Sequence, residues 1–219
     1  METKILGISG SPVKGGNVET FLGAMLGSVA GKKGVSTEAV HLSQLDIQDC
    51  IHCNFCVKKQ TPEKYCSIDD GAQAVFDKVE AADVIVLAAP VYFLRTSGRM
   101  ASFIDRLRVF VFGNIAGGKL KNKIGASAAV AWARNGGFET THLCHLFAFM
   151  ALEMIPVSVH HSVSPLGASA VASPNGSGIF DKSIRLGVEK DLSGLHSASA
   201  MMNRALELSA LIKSGSEKR

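Results

Sequence analysis

Four of the five cysteines in this 219-residue chain lie between Cys50 and Cys66. Cys50, Cys53 and Cys56 are spaced C-x2-C-x2-C, and Cys66 follows after nine intervening residues. Thiolates so closely spaced can wrap one face of a cubane. Bacterial ferredoxins use the same triplet with a fourth cysteine from elsewhere, so the four are expected to ligate a [4Fe–4S] cluster. Structural zinc more often takes two separated C-x2-C pairs; zinc, a disulfide and a free-thiol pair stay open as alternatives. Cys144, apart from the rest, reads as a small apolar residue inside a helix.

The second concentration of chemistry is the run Ser9-Gly10-Ser11-Pro12-Val13-Lys14-Gly15-Gly16-Asn17-Val18-Glu19. Its glycines free backbone N–H groups to point inward, and Ser9, Ser11 and Asn17 offer side-chain donors. A helix starting behind the loop adds its positive end. One terminal phosphate fits such a cradle. The run has neither the Gly-Lys-Ser/Thr of an ATP-binding loop nor the G-x-G-x-x-G of a dinucleotide fold. The alternative is an ordinary connection in which Ser and Asn cap the helix. Two more loops carry suitable groups: Pro90-Val91-Tyr92-Phe93 can lie against a flat ring, and Trp132 with Arg134-Asn135-Gly136-Gly137 can meet its polar edge. Tyr92, Phe93 and Trp132 are equally open to a core role.

These loops need elements to hold them. Residues 4–8 read as a short buried strand, and Val18, Phe21, Leu22, Met25, Leu26 and Val29 recur at helical spacing up to Gly31. A strand over 36–42, a helix capped by Asp69 or Asp70, and an apolar strand over 84–89 stopped by Pro90 follow. The pattern then predicts a helix over 100–111, a strand over 124–132, a helix through Leu143 and Met150, and a fifth strand over 155–160. Residues 161–180 are an uncharged loop, either a lid over a site or a plain connector. A last helix over 191–213 turns Leu192, Leu195, Met202 and Leu206 inward, and 214–219 form a flexible tail. Alternation of this kind gives a parallel sheet with helices on both faces and ligands at the carboxyl ends of the strands.

With 47% hydrophobic residues the chain can bury a core as one domain over 1–213, the cysteine loop 50–66 being an insertion. The net charge of +4 comes from interspersed charges, which suits a small anion and provides no nucleic-acid stripe. The start Met1-Glu2-Thr3-Lys4-Ile5 leaves no room for a signal peptide, and the uncharged stretch Thr140 to Leu152 is too short for a bilayer span. A cytoplasmic chain without membrane contact is expected. His142 and His145 read as a polar helix face rather than metal ligands, and Asp105 with Arg106 as a structural ion pair or subunit contact. His160 and His161 either border the substrate space or open a surface loop, and Lys119, Lys121 and Lys123 read as a solvated face.

Taken together, G-I-S-G-S-P-x-x-G-G-N-x-E, A-P-V-Y-F, M-A-S-F-I-D-R-L-R and A-W-A-R-N-G-G-F-E-T-T resemble the NAD(P)H-dependent FMN reductase and iron–sulfur flavoprotein group, up to about Val159. The resemblance implies a flavodoxin-like three-layer αβα sandwich with a five-stranded parallel sheet. It implies FMN, with Ser9, Ser11, Pro12, Asn17, Val18 and Glu19 around the ribityl phosphate, and Pro90, Val91, Tyr92, Phe93, Arg134, Asn135, Gly136 and Gly137 framing the isoalloxazine. The compact cysteine motif looks like that of iron–sulfur flavoproteins, although the interval before Cys66 is longer than theirs. The expectation is electron transfer between a low-potential donor such as ferredoxin and a small-molecule acceptor, through FMN and the cluster, in a homodimer or homotetramer. No side chain is expected to act as a catalytic nucleophile, acid or base. An NAD(P)H-dependent FMN or quinone reductase without a cluster, and a non-catalytic flavin or zinc module, are the alternatives.

Overall fold

The computed structural model describes residues 2–159 and 165–216. The elements run β1 (Thr3–Ser9), α1 (Asn17–Ala30), β2 (Val35–His41), α2 (Phe55–Lys58), α3 (Ala72–Ala81), β3 (Val84–Tyr92), β4 (Arg95–Thr96), α4 (Gly98–Arg106), α5 (Arg108–Val111), β5 (Ile124–Ala131), α6 (Phe138–Ala151), β6 (Ile155–Pro156), β7 (Ala168–Val171) and α7 (Leu192–Ser216). The sheet order is β2-β1-β3-β5-β6, all parallel, with β7 also parallel to β5 and β4 antiparallel to β3.

Alternation along the strands sorts the core into two layers. Val84, Val86 and Ala88 of β3 join the cluster beneath α1 and α7, while Ile85, Leu87 and Ala89 join the one beneath α3 and α4. On β5 the even residues Ile124 to Val130 face α1 and α7. Its other face is Gly125, Ser127, Ala129 and Ala131, small residues that let α6 lie close. A Cβ on Gly125 would stand 2.5 Å from the Phe149 ring. His142 and His145 come to rest over Ser127, both fully buried, so they are core residues rather than a polar helix face.

Several expectations are corrected. The strand carrying Pro90 does not stop there; it continues to Tyr92 and folds back as β4. Pairing with β1 ends at Ala88, which leaves β3 an open edge where a proline is tolerated. The turn between Tyr92 and Arg95 consists of Phe93 and Leu94 at φ of 48° and 60°, the left-handed values of a type I′ hairpin that usually takes Asn-Gly. The fifth strand over 155–160 shrinks to Ile155–Pro156, and β7 resumes that sheet position opposite Ala128 to Ala131. Its Ala-Ser-Ala-Val sequence carries little β propensity, yet small side chains are what fit under α7, where a Cβ on Gly194 would stand 2.8 Å from Ala170 Cβ. His160 and His161 lie outside the described residues.

The helix over 100–111 breaks at Leu107, whose N–H bonds to both Phe103 and Ile104 carbonyls. Leu192 is 77% exposed, because it opens α7 beyond the Asp191 cap, whose Oδ1 accepts from Gly194 N at 3.0 Å. Arg106 pairs with Asp70, not Asp105, in a bidentate bridge of 2.8 and 3.1 Å with both side chains buried. Lys123 is half-buried and donates to the Glu80 and Ala82 carbonyls, unlike the solvated Lys121. α7 extends through Ser216, beyond the expected helix end.

Candidate functional site

The carboxyl ends of β1, β3 and β5 open into one cavity of about 310 Å³. The β1–α1 loop supplies Ser11, Val13, Lys14, Gly15, Gly16, Asn17 and Val18; β3 supplies Pro90, Val91 and Tyr92; β5 and its end supply Val130, Ala131 and Trp132. This is the sheet position at which chain order reverses, where open α/β sheets take ligands.

The β1–α1 loop is folded by its own side chains. Gly10 donates to the Ala88 carbonyl at 2.8 Å, and a Cβ on it would stand 2.5 Å from Met100 Cβ, so the loop leaves β1 in close contact with α4. Ser11 Oγ accepts from Val13 N at 3.1 Å, and Gly15 turns the chain at φ 61°. The N-cap of α1 is Gly16, which has no side chain to cap the first turn, and among the described residues no side-chain cap bond is made there, so its N–H groups stay available at the cavity. Lys14 and Arg185 add positive charge on the same wall. An anion is the ligand such a wall fits, which agrees with the phosphate of FMN.

Not every expected residue lines this cavity. Ser9 is buried beneath the loop and accepts from Ser11 N at 3.4 Å. Pro12 stands beside the lining rather than in it. Glu19 braces the loop from behind: one carboxylate oxygen accepts from Gly15 N at 2.7 Å and the other from Ser43 Oγ at 3.0 Å, with His41 Nδ1 at 3.5 Å. Asn17 lines the cavity while its Oδ1 accepts from Val188 N at 3.2 Å.

On the ring side, Tyr92 and Val91 form one wall and Trp132 another. Trp132 donates from Nε1 to the Gly178 carbonyl at 2.7 Å and stacks on Phe180 at 5.9 Å and 29°. The segment over 172–186 packs against the site, and Ala172, Arg185 and Leu186 line the cavity directly; of the expected 161–180 loop, Ala168–Val171 is instead strand β7. Phe93 is 98% exposed at the hairpin tip, outside the lining. Arg134 and Asn135 line neighbouring clefts with Asp191 and Ser193 instead. Gly136 and Gly137 form the turn into α6, Gly137 at φ 95° packed against the Leu94 backbone. Arg185 and Leu186 carry no motif; only position after the low-charge segment could have marked them.

The cysteine loop is anchored firmly. Gln60 donates to the Tyr65 and Val109 carbonyls at 3.2 and 3.1 Å and accepts from Ile115 and Ala116 N–H at 3.0 Å each. Arg106 adds a bond to the Gln48 carbonyl at 2.8 Å, and Arg108 donates to Asn54 Oδ1 at 2.6 Å. Burial opposes ionisation of Asp70, but the Arg106 guanidinium and the Gln48 and Ala72 N–H groups outweigh it and hold the carboxyl below its ordinary range. Ser67 Oγ lies 3.0 Å from Cys53 Sγ and is the first cause that lowers that exposed thiol. All five cysteines are free, with Cys53 exposed, Cys56 buried, and Cys50 and Cys66 between. Among the described residues, no three His, Cys, Asp or Glu side chains converge to hold a metal. The thiol set has the composition of a cluster site, but its present arrangement does not gather one.

Residues 3–167 match the family model described as NADPH-dependent FMN reductase. An iron–sulfur flavoprotein of Methanosarcina thermophila is 40% identical over 138 residues, covering 63% of this chain and 68% of that one. Another from Methanocaldococcus jannaschii is 32% identical over 211 residues, 96% of this chain and 99% of that one. Among solved structures, RosB with bound 8-demethyl-8-formylriboflavin-5'-phosphate superposes with a TM-score of 0.73 at 14% identity, over 97% of this chain and 81% of that one. A flavodoxin, WrbA-like protein from Agrobacterium tumefaciens gives 0.60 at 12% identity, over 96% of this chain and 99% of that one. The chain therefore belongs to the family of NADPH-dependent FMN reductases and iron–sulfur flavoproteins, and is an FMN-dependent oxidoreductase of flavodoxin-like fold.

Proposed function

We propose that this protein takes electrons from a low-potential donor such as ferredoxin and passes them to a small-molecule acceptor at FMN, in the cytoplasm and as a homodimer or homotetramer. The observation that carries the flavin part is the single cavity in which the uncapped start of α1, Lys14 and Arg185 face the walls made by Tyr92 and Trp132. There Ser11, Gly16, Asn17 and Arg185 would hold the phosphate, and Val91, Tyr92 and Trp132 would position the ring and exclude water. Bound FMN exchanges one or two electrons, so it can join one-electron and two-electron partners. No general acid or base is assigned.

The second part of the reading gives Cys50, Cys53, Cys56 and Cys66 to a [4Fe–4S] cluster. Its support is the free state of all four thiols and the name of the relatives. Because the thiols stand apart among the described residues, the loop has to close for the cluster to form. That same separation, with the family model's description, favours a second reading: a reductase that takes hydride directly from NAD(P)H and holds no cluster.

Protein purified without oxygen and assayed for flavin, iron and acid-labile sulfide separates them. About four irons per chain with flavin supports the cluster. Flavin without iron, reduced directly by NADPH, establishes the reductase reading instead.

A further inference from the structure

Behind the flavin cavity, four hydrogen bonds run in series through buried side chains. Ser169 Oγ of β7 meets His142 Nε2 at 2.8 Å, and His142 Nδ1 meets Ser127 Oγ of β5 at 2.7 Å. The same hydroxyl meets His145 Nδ1 at 2.8 Å, and His145 Nε2 meets Thr96 Oγ1 of β4 at 3.1 Å. Thr96 pairs directly with Val91, which lines the cavity, and β7 leads into Ala172, which lines it from the other side. Two walls of the flavin cavity are thus tied through one helix, α6.

The chemistry of the chain restricts its protons. Ser127 has one proton and sits between two ring nitrogens, so it donates to one and accepts from the other; any other order leaves a buried group unpaired. The rings must then be opposite tautomers. Either His142 carries its proton on Nδ1 and His145 on Nε2, or the reverse. Burial pushes the rings down to about 4 and about 3, so both are neutral near pH 7. A Cβ on Gly167 would stand 2.3 Å from His142 Nδ1, so the missing side chain at Gly167 is what gives that ring its room.

The hairpin that this chain holds is otherwise strained. Phe93 and Leu94 are both left-handed without being glycine, and the turn is pinned by Thr140, whose hydroxyl donates to the Leu94 carbonyl. Strain of this kind persists only where the surroundings enforce it. We propose that Ser127, His142 and His145 are positioning residues that hold Thr96, and with it the Val91–Tyr92 wall, against the flavin ring. The proposal rests on the flavin reading above and adds to it residues that never touch the ligand.

The test is titration of flavin-free protein with FMN and with riboflavin, combined with nitrogen-15 histidine NMR. His145→Asn can reach Ser127 but not Thr96, whereas His145→Gln can reach Thr96 but not Ser127. His145→Asn and the near-isosteric Thr96→Val should weaken both flavins by the same factor, roughly three- to tenfold for one lost buried bond, and shift the bound flavin's visible spectrum. His145→Gln should bind closer to the original. In the unsubstituted protein the two rings should appear as opposite neutral tautomers. If Thr96→Val binds both flavins and shows the same spectrum as the original, or the rings share a tautomer, the proposal is overturned. Failure of the unsubstituted protein to bind either flavin would instead overturn the flavin reading itself.

Discussion

Lys14 and Arg185 line the cavity together with the open start of α1, and neither has a carboxylate partner in an ion pair among the described residues. A cation held beside a phosphate makes charge-assisted bonds worth about 1.5–3 kcal/mol. Arg185→Ala should therefore weaken FMN at least about tenfold while leaving riboflavin unchanged, as read by fluorescence titration. Equal losses for both flavins would place Arg185 at the ring instead. Gly10 is the second informative position. Gly10→Ala forces a methyl into Met100 and should lower stability by about 1–3 kcal/mol in urea unfolding, at a site that composition marks only as a turn. Serine and glycine types made the β1–α1 loop legible as an anion cradle. They could not show that Glu19 turns away to brace it, because a side chain's direction depends on Ser43 and Gly15 as neighbours.

At the scale of elements, α6 and the β3–β4 hairpin depart furthest from the sequence pattern. The hairpin replaces the usual Asn-Gly by Phe93-Leu94, and left-handed L-residues cost about 1–2 kcal/mol each. Changing the pair to Asn-Gly should raise the urea midpoint; an unchanged or lower midpoint would mean that Phe93 and Leu94 stabilise the turn by contacts outweighing the strain. In α6, the folded-state pKa values of His142 and His145 lie below the ordinary 6.5, at about 4 and about 3. Their contribution is complete above pH 6.5 and is lost as pH falls towards 4, because the unfolded chain binds protons that the fold refuses. Each ring costs about 1.4 kcal/mol per pH unit in that window. Urea unfolding between pH 7 and 5 should show the loss steepening below pH 6, and His142→Gln should flatten it; a level profile would contradict the buried neutral rings. Periodicity found α6 but not its orientation, since Gly125, Ser127, Ala129 and Ala131 gave no apolar signal on the face that receives it. For the same reason β7 passed as loop: Ala168 to Val171 are small residues whose burial depends on α7.

Exposed large apolar groups occur in several places on the molecule: Tyr92 and Trp132 line the cavity, Phe180 stacks on Trp132, Phe93 and Leu94 form the hairpin tip, Leu143, Phe147 and Met150 lie along α6, and Ile51 lies in the cysteine loop. An assembly of copies would cover such surface, so Phe93→Glu should shift sedimentation towards smaller species; a monomer before and after the change would contradict the proposed oligomer. The parallel sheet with helices on both faces was legible because β3 is apolar throughout and α1 strongly periodic, whereas the strand order came only with the structure. The cavity's far wall was not, since the segment over 172–186 reaches the site through tertiary contacts with Trp132 and the Arg134 backbone that no local pattern marks. The cysteine spacing was plain in sequence, whereas the separation of the thiols is set by anchors at Gln60, Arg106 and Arg108.

Calorimetric titration of flavin-free protein with FMN and riboflavin tests the central claim most directly. One FMN per chain, bound at least about tenfold more tightly than riboflavin, is the result expected from a phosphate held by main-chain N–H groups, Lys14 and Arg185. No binding of FMN, or equal binding of the two flavins, would contradict it.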